Sequence, residues 1–237
     1  GGGYLLEGTV LDGELLDKNT LLRMIVTAFK LKLFYILLPI GSVNGQVVNL
    51  TGQSNDFQEL IGTGLSRFNG STKNRIHNIR LGSSKYNGLV IDKGENFSFV
   101  GHLGGPVNKA SGYLQELVIK GQNTIPEYGG GLCQVSTTMF RAALFSGLPI
   151  TERKGHSYAV SYYNWPYGWG LDATVYPGSA DLKFVNDTPG QILVQTYVED
   201  TKLYFKFYGL SDNRRVAVGE SVIHKNFGVG AATYQKS

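Results

Sequence analysis

One cysteine among 237 residues, Cys133, stands where three glycines, Gly129-Gly130-Gly131, run into an apolar stretch with helical spacing. The first turn of a helix presents unpaired N–H groups and a partial positive charge, which favour a thiolate over a thiol. Glycines ahead of it let the backbone turn sharply and approach a substrate closely. The amides at such a turn can also donate to an oxyanion. Gln134, Ser136, Thr137 and Thr138 follow as polar groups on the first turns. The chemistry this points to is nucleophilic attack on an acyl carbon. The simpler alternative is a small hydrophobe packed behind a flexible loop. A core cysteine does not need three consecutive glycines before it, so the spacing favours the reactive reading.

A thiol nucleophile needs a base, and imidazole titrates near neutrality. Of the four histidines, His156 has the best context: Glu152-Arg153-Lys154-Gly155-His156-Ser157 leads into a strand-like run from Tyr158 to Tyr163. His102 lies in a glycine-rich loop, His77 sits among polar groups, and His224 has no accompanying motif. A third group should orient the ring. Asp172, at the start of the next strand-like run, is favoured, and Asp181 is its rival; either also suits a turn or cap. A cysteine at a helix start followed in sequence by a histidine on a sheet is the order of papain-like thiol enzymes.

These groups must be held by elements that the sequence also outlines. Leu132 to Ser146 carries Val135, Met139, Phe140, Ala143 and Leu144 at three- and four-residue spacing, with Gly147 closing the run and Pro149 beyond it, which predicts a helix. Strand composition marks Ala173 to Tyr176, Leu182 to Val185, Ile192 to Val198 and Leu203 to Tyr208. Upstream, Gly88 to Ile91 and Phe97 to Phe99 read as short strands, Ile76 to Leu81 alternates weakly, and Tyr113 to Lys120 fits strand or short helix. Near the start, Asn19 or Thr20 caps a helix to about Lys30, and Leu33 to Leu38 reads as a strand. The polar run Asn49 to Asp56 reads as a linker. The expected fold is α+β: a helix with the cysteine at its N-terminus packed on a mainly antiparallel sheet, plus a small N-terminal α+β piece. The expected division is 1–50, 57–210 and a C-terminal extension, 211–237.

Hydrophobic residues make up 42% and charged residues 17%, which excludes general disorder. Aromatic content of 12% with 32 glycines fits short strands and turns better than a helical bundle. The net charge of +4 is spread without a basic cluster, so no nucleic-acid partner is expected. A lone cysteine excludes an internal disulfide and a four-cysteine zinc site, and no metal or cofactor is called for. The run Leu21 to Ile40 contains Arg23, Lys30 and Lys32 and is a poor membrane span. A start at Gly1-Gly2-Gly3 without Met reads as an added leader, so a membrane anchor is expected only in a full-length protein.

The run Tyr128-Gly-Gly-Gly-Leu-Cys-Gln-Val-Ser-Thr-Thr resembles the GGGxCQVSST signature of VanW domains. Asn74 to Ile79, Gly94 to Phe99, Glu152-Arg153 with His156-Ser157, and Asp172 to Val175 resemble further motifs of that family, in family order, between about Glu59 and Asn186. Residues 4–50 resemble the end of a peptidoglycan-binding module often found upstream. The resemblance implies an extracytoplasmic protein of the cell wall or cell surface, an L,D-transpeptidase that joins peptidoglycan stem peptides by 3-3 cross-links. Cys133 would then attack the carbonyl of the third stem residue, a diamino acid, and expel the terminal D-Ala, with His156 exchanging protons. Substrate contacts are expected from Gly130, Gly131, Gln134 and Ser136 beside the cysteine, and from Arg75, His77, Arg153 and Tyr162. A thiol peptidase or amidase would use the same residues with water as acceptor, and a wall-binding module would leave Cys133 inert. The aromatic insert Tyr163 to Gly170, just before Asp172, departs from the family pattern.

Overall fold

The computed structural model describes residues 57–120, 123–157 and 163–219, with short pieces at 13–16, 21, 23–27 and 40–43. In chain order the elements are β1 (Gly13–Leu16), β2 (Ile40–Val43), β3 (Glu59–Arg67), α1 (Lys73–Ser84), β4 (Leu89–Ile91), β5 (Asn96–Ser98), α2 (Phe99–His102), β6 (Gln115–Lys120), β7 (Asn123–Tyr128), α3 (Leu132–Phe145), β8 (Ile150–Glu152), β9 (Lys183–Val185), β10 (Ile192–Glu199) and β11 (Lys202–Gly209). The mixture is α+β, and every strand pair among the described residues is antiparallel. Among those residues no helix is long and apolar enough to cross a membrane.

The central sheet has the order β3-β11-β10-β4. β10 and β11 form a hairpin in which Glu199 faces Lys202, so the turn is Asp200-Thr201. Asp200 takes a φ of 51°, a conformation that a short polar side chain tolerates. Alternation along these strands sends Ile192, Val194, Leu203, Phe205 and Phe207 into the main core. Leu193 and Tyr208 go to a smaller cluster with Phe57 on the other face. Each large apolar side chain fully buried here contributes about 1.5–3 kcal/mol.

α3 lies directly on β3. A Cβ at Gly64 would overlap the carbonyl oxygen of Thr138 and stand 2.6 Å from the Ala142 nitrogen, so helix and strand meet backbone to backbone. The helix is buried almost all round, including its polar residues. Gln134 donates to Ser66 Oγ (3.0 Å) and to the Arg67 carbonyl (2.7 Å), Thr138 Oγ1 pairs with Ser66 Oγ (2.7 Å), and Ser136 Oγ donates to the Ala173 carbonyl (2.6 Å). Two smaller units flank this core: a three-stranded sheet β5-β9-β8 and the hairpin β6-β7.

Several expectations change. Ile76 to Leu81 lies within α1, which the Thr72 side chain opens by accepting from the Arg75 N–H (3.1 Å) and which buries Asn78, Ile79, Gly82 and Ser83. Ala173 to Tyr176 is not a strand but two isolated bridges, Lys154 with Thr174 and Tyr176 with Ala180, because the chain turns back after Tyr176. β3, β7 and β8 are strands that composition did not announce. The strand expected at Leu33 to Leu38, the linker at 49–56 and residues 158–162 lie outside the described residues.

Candidate active site

The helix α3 starts at Gly131, which caps it with a φ of 118°. A Cβ there would stand 3.0 Å from Ile79 Cγ1 and 3.2 Å from the Arg75 carbonyl, so α1 leaves room only for glycine. Asn78, fully buried on α1, fastens the run: its amide donates to the carbonyls of Leu114 (2.9 Å) and Gly130 (3.0 Å), and its oxygen accepts from the Leu114 N–H (2.8 Å). Cys133 therefore emerges, half-buried, from a rigidly held turn. Its thiol donates to the Val175 carbonyl at 3.5 Å. The amides of Leu132 and Gln134 are taken up by the carbonyls of Gly129 and Gly131. Among the described residues no backbone bond uses the N–H of Cys133 itself.

Asp172 meets His156 twice. Its Oδ2 accepts from the His156 backbone N–H at 2.8 Å and lies 2.5 Å from Nδ1. This fixes the tautomer and leaves the other ring nitrogen clear of the carboxylate, in an imidazole that shares the cleft with Cys133 and feels its charge. The Tyr163 ring, 4.8 Å away and tilted by 31°, covers the imidazole. Burial works against a charged imidazole, but hydrogen bonds to Asp172 and Cys133 and the charges of both outweigh it and raise His156 to about 9. Burial also opposes ionisation of Asp172; the hydrogen bonds from His156 and the charges of His156 and Arg153 prevail and hold the carboxyl below its usual range. Arg153 supports the acid from behind, donating to the Asp172 carbonyl (2.7 Å) and to the Gly170 carbonyl, with Nη2 3.6 Å from Asp172 Oδ1.

A cleft of about 810 Å³ opens in front of these groups. Its walls are the glycine run with Cys133, the loop Lys154 to Ser157 with His156, the hairpin β6-β7, and the stretch Thr174 to Pro177. Arg75, Glu127 and Lys154 also line it. A thiol, an imidazole oriented by a carboxylate, and a backbone donor at the thiol's own residue form the set that acyl transfer through a thioester needs. Among the described residues no cluster of three or more His, Cys, Asp or Glu is arranged to hold a metal ion.

The family profile described as "VanW like protein" matches residues 74–208, more than half of the chain. The chain belongs to the VanW-like family. It is similar to the uncharacterized protein YoaR of Bacillus subtilis (strain 168), 36% identical over 136 residues, which are 57% of this chain and 43% of that protein. It is also similar to the vancomycin B-type resistance protein VanW of Enterococcus faecalis (strain ATCC 700802 / V583), 33% identical over 134 residues, 55% of this chain and 48% of that one. The chain thus spans less than half the length of these curated relatives. No solved structure matches it.

Within this VanW-like domain, the structure brings together Cys133, His156, Asp172, Gly130, Gly131 and Arg75. It moves other candidates elsewhere. Gln134 and Ser136 are fully buried and bonded inward, so their place is in the packing of α3 rather than on substrate. His77 bonds the Gly112 carbonyl (2.8 Å) outside the cleft lining, and Arg153 stands behind Asp172. Asp181 accepts from Ser98 Oγ (2.6 Å) and from the N–H groups of Val100 (2.9 Å) and Leu182 (2.8 Å), holding the start of α2. Tyr162 and His224 lie outside the described residues. Reading the sequence missed Asn78, Lys154, Tyr163 and Val175 around the site. Each stood in a segment the sequence had marked, Asn78 and Val175 in matched motifs, Lys154 in the run before His156 and Tyr163 at the start of the aromatic insert, but none by its own type.

Proposed function

We propose that the protein is a cysteine-dependent acyltransferase of the cell wall, an L,D-transpeptidase that joins stem peptides by 3-3 cross-links. The observation that carries this reading is the placement of Cys133 and the Asp172-oriented His156 on one cleft. In the first half-reaction, Cys133 gives its proton to His156, and its Sγ attacks the carbonyl carbon of the third stem residue. The oxygen of the tetrahedral adduct takes on negative charge beside the Cys133 N–H. The adduct collapses by breaking the C–N bond to D-Ala, whose amine takes a proton from His156. In the second, the side-chain amine of a neighbouring stem gives a proton to His156 and attacks the thioester, forming the new amide and releasing the thiolate. Arg75 and Lys154 offer cations to the carboxylates of the stem. Such a substrate requires an extracytoplasmic site of action.

Incubation with a disaccharide-tetrapeptide, followed by mass spectrometry, tests the reading. The expected products are an acyl adduct on Cys133 and cross-linked dimers, both absent from Cys133→Ala. Tripeptide without dimers would replace transfer by hydrolysis, and neither product would leave a binding module. A Cys133→Ala protein that still formed dimers would overturn the role of the thiol.

A further inference from the structure

Besides its neutral polar residues, α3 carries a charged group that the chemistry above does not use. Arg141 lies eight residues beyond Cys133, about 12 Å along the helix, and is fully buried among the apolar residues of that helix. Among the described residues no carboxylate forms an ion pair with its guanidinium, although the charge of Asp172 acts on it. It donates through Nε to the carbonyl of Leu171 (2.9 Å), through Nη1 to those of Leu65 (2.7 Å) and Trp165 (3.1 Å), and through Nη2 to that of Tyr163. A buried cation whose hydrogen bonds go only to neutral oxygens is costly, even with the Tyr167 ring 5.3 Å from its Cζ, and an apolar residue of similar size would avoid that cost. That residue would, however, strand four carbonyls. The planar fork of arginine can face several directions at once, which an ammonium on a flexible stem cannot.

Three of the four carbonyls, all but that of Leu65 on β3, share where their residues lead. Tyr163 places its ring on His156. Leu171 immediately precedes Asp172, which orients the same imidazole. Trp165 is held from its other side by Arg67, whose guanidinium lies 3.4 Å over the ring. The aromatic insert is therefore gripped at its start, through Tyr163 and Trp165, and just past its end, through Leu171, by the helix that bears the nucleophile. We infer that Arg141 is a positioning residue of the active site, which ties the Tyr163–Asp172 segment to the cysteine helix and so sets the imidazole against the sulfur. The inference rests on the Cys133–His156–Asp172 reading. Arg141 touches neither substrate nor sulfur, and it acts through Tyr163 and Asp172.

The test compares wild type, Arg141→Gln, Arg141→Lys and Tyr163→Ala in the full chain. The readouts are thermal stability, the pH profile of Cys133 alkylation by iodoacetamide, and the NMR titration of His156. Asp172, Cys133 and Tyr163 face that imidazole directly, and Arg153 reaches it through Asp172. Loosening the segment should move the His156 titration down by about one pH unit or more and move the alkylation profile with it. Tyr163→Ala, with Arg141 in place, should shift both in the same direction. Arg141→Lys should not restore the wild-type profile. If stability falls in the Arg141 variants while both profiles stay where they are, Arg141 is only a structural clamp and the inference is overturned. Should Arg141→Gln not fold, the lysine and Tyr163 variants decide by the same criterion. Iodoacetamide needs no stem peptide, so a protein that fails to make cross-links still tests this inference.

Discussion

Among the described residues, two histidines stand beside a carboxylate and an aromatic ring, and only one of them shares a cleft with a nucleophile. His102, at the end of α2, stacks on Phe97 at 4.7 Å, bonds the Ser98 carbonyl through Nδ1 (2.9 Å) and has Nε2 3.5 Å from Glu95 Oε1. Both of its nitrogens are spent on its own neighbourhood, and a third of its side chain is exposed. His156 spends one nitrogen on Asp172, is 13% exposed, and lines the same cleft as Cys133. A histidine–carboxylate pair is therefore not in itself a sign of chemistry. What decides is whether a nucleophile shares the cleft and whether water is kept off the ring.

The largest test of that contrast is removal of each ring. Cys133→Ala and His156→Ala should each lower dimer formation by about 10³-fold or more, as loss of one member of a nucleophile–base unit does. His102→Ala should leave the rate within about threefold, since its contacts are structural. Equal losses from both histidine variants, measured by product formation, would dissolve the distinction.

The two aspartates repeat the contrast one step further out. Asp172→Asn keeps the shape but loses the charge that orients and stabilises the imidazolium, so the rate should fall by about 10²–10⁴-fold. It should also bring the His156 titration down from about 9. Asp181→Asn disturbs the start of α2 and should cost about 1–2 kcal/mol of stability by thermal melting, with activity retained. A silent Asp172→Asn would remove the orienting role.

How far these roles were legible depended on what the residue types say about direction. Cys133 and α3 could be read because apolar spacing and terminal glycines are local signals, and β10 and β11 because branched and aromatic residues alternate there. β3 was invisible: Gly62 and Gly64 are poor strand formers, and the strand exists because their missing side chains admit α3. α1 was obscured by Asn74, Arg75, His77, Asn78 and Arg80, a polar series whose helix is set by the Thr72 cap and by packing on α3. Gln134 and Ser136 show the sharpest loss. A polar side chain on the first turns of a helix can bond a substrate or a neighbouring strand, and only Ser66, Arg67 and Ala173, distant in sequence, decide which. The choice between Asp172 and Asp181 was open for the same reason.

The pair His156–Asp172 also gives a stability signature. His156 is raised from 6.5 to about 9, so its contribution is complete below about pH 6.5 and disappears as pH rises through about 9. Asp172 is lowered, so its share is present above the ordinary carboxylate range and is lost as pH falls through its folded value. The difference in melting temperature between wild type and His156→Gln should therefore be largest from about pH 5 to 6.5 and close above about pH 9. A difference that grew toward alkaline pH would contradict the charged pair.

The smallest expected effect separates two neighbours in one loop. Arg153 turns inward to Asp172, whereas Lys154, held by the bond from the Thr174 N–H to its carbonyl (2.7 Å), lines the cleft. An exposed charge pair contributes about 1 kcal/mol or less, so Lys154→Met should raise KM for a stem peptide with free carboxylates by about fivefold at most. Because the contact is made equally in the bound ground state and the transition state, kcat should hold. Arg153→Met should behave oppositely, lowering kcat with little change in KM, since it acts on the acid that orients the imidazole. The carboxylate account of Lys154 is decided by an amidated stem peptide: with it, wild type and Lys154→Met should share one KM, and a persistent gap would assign Lys154 to another contact.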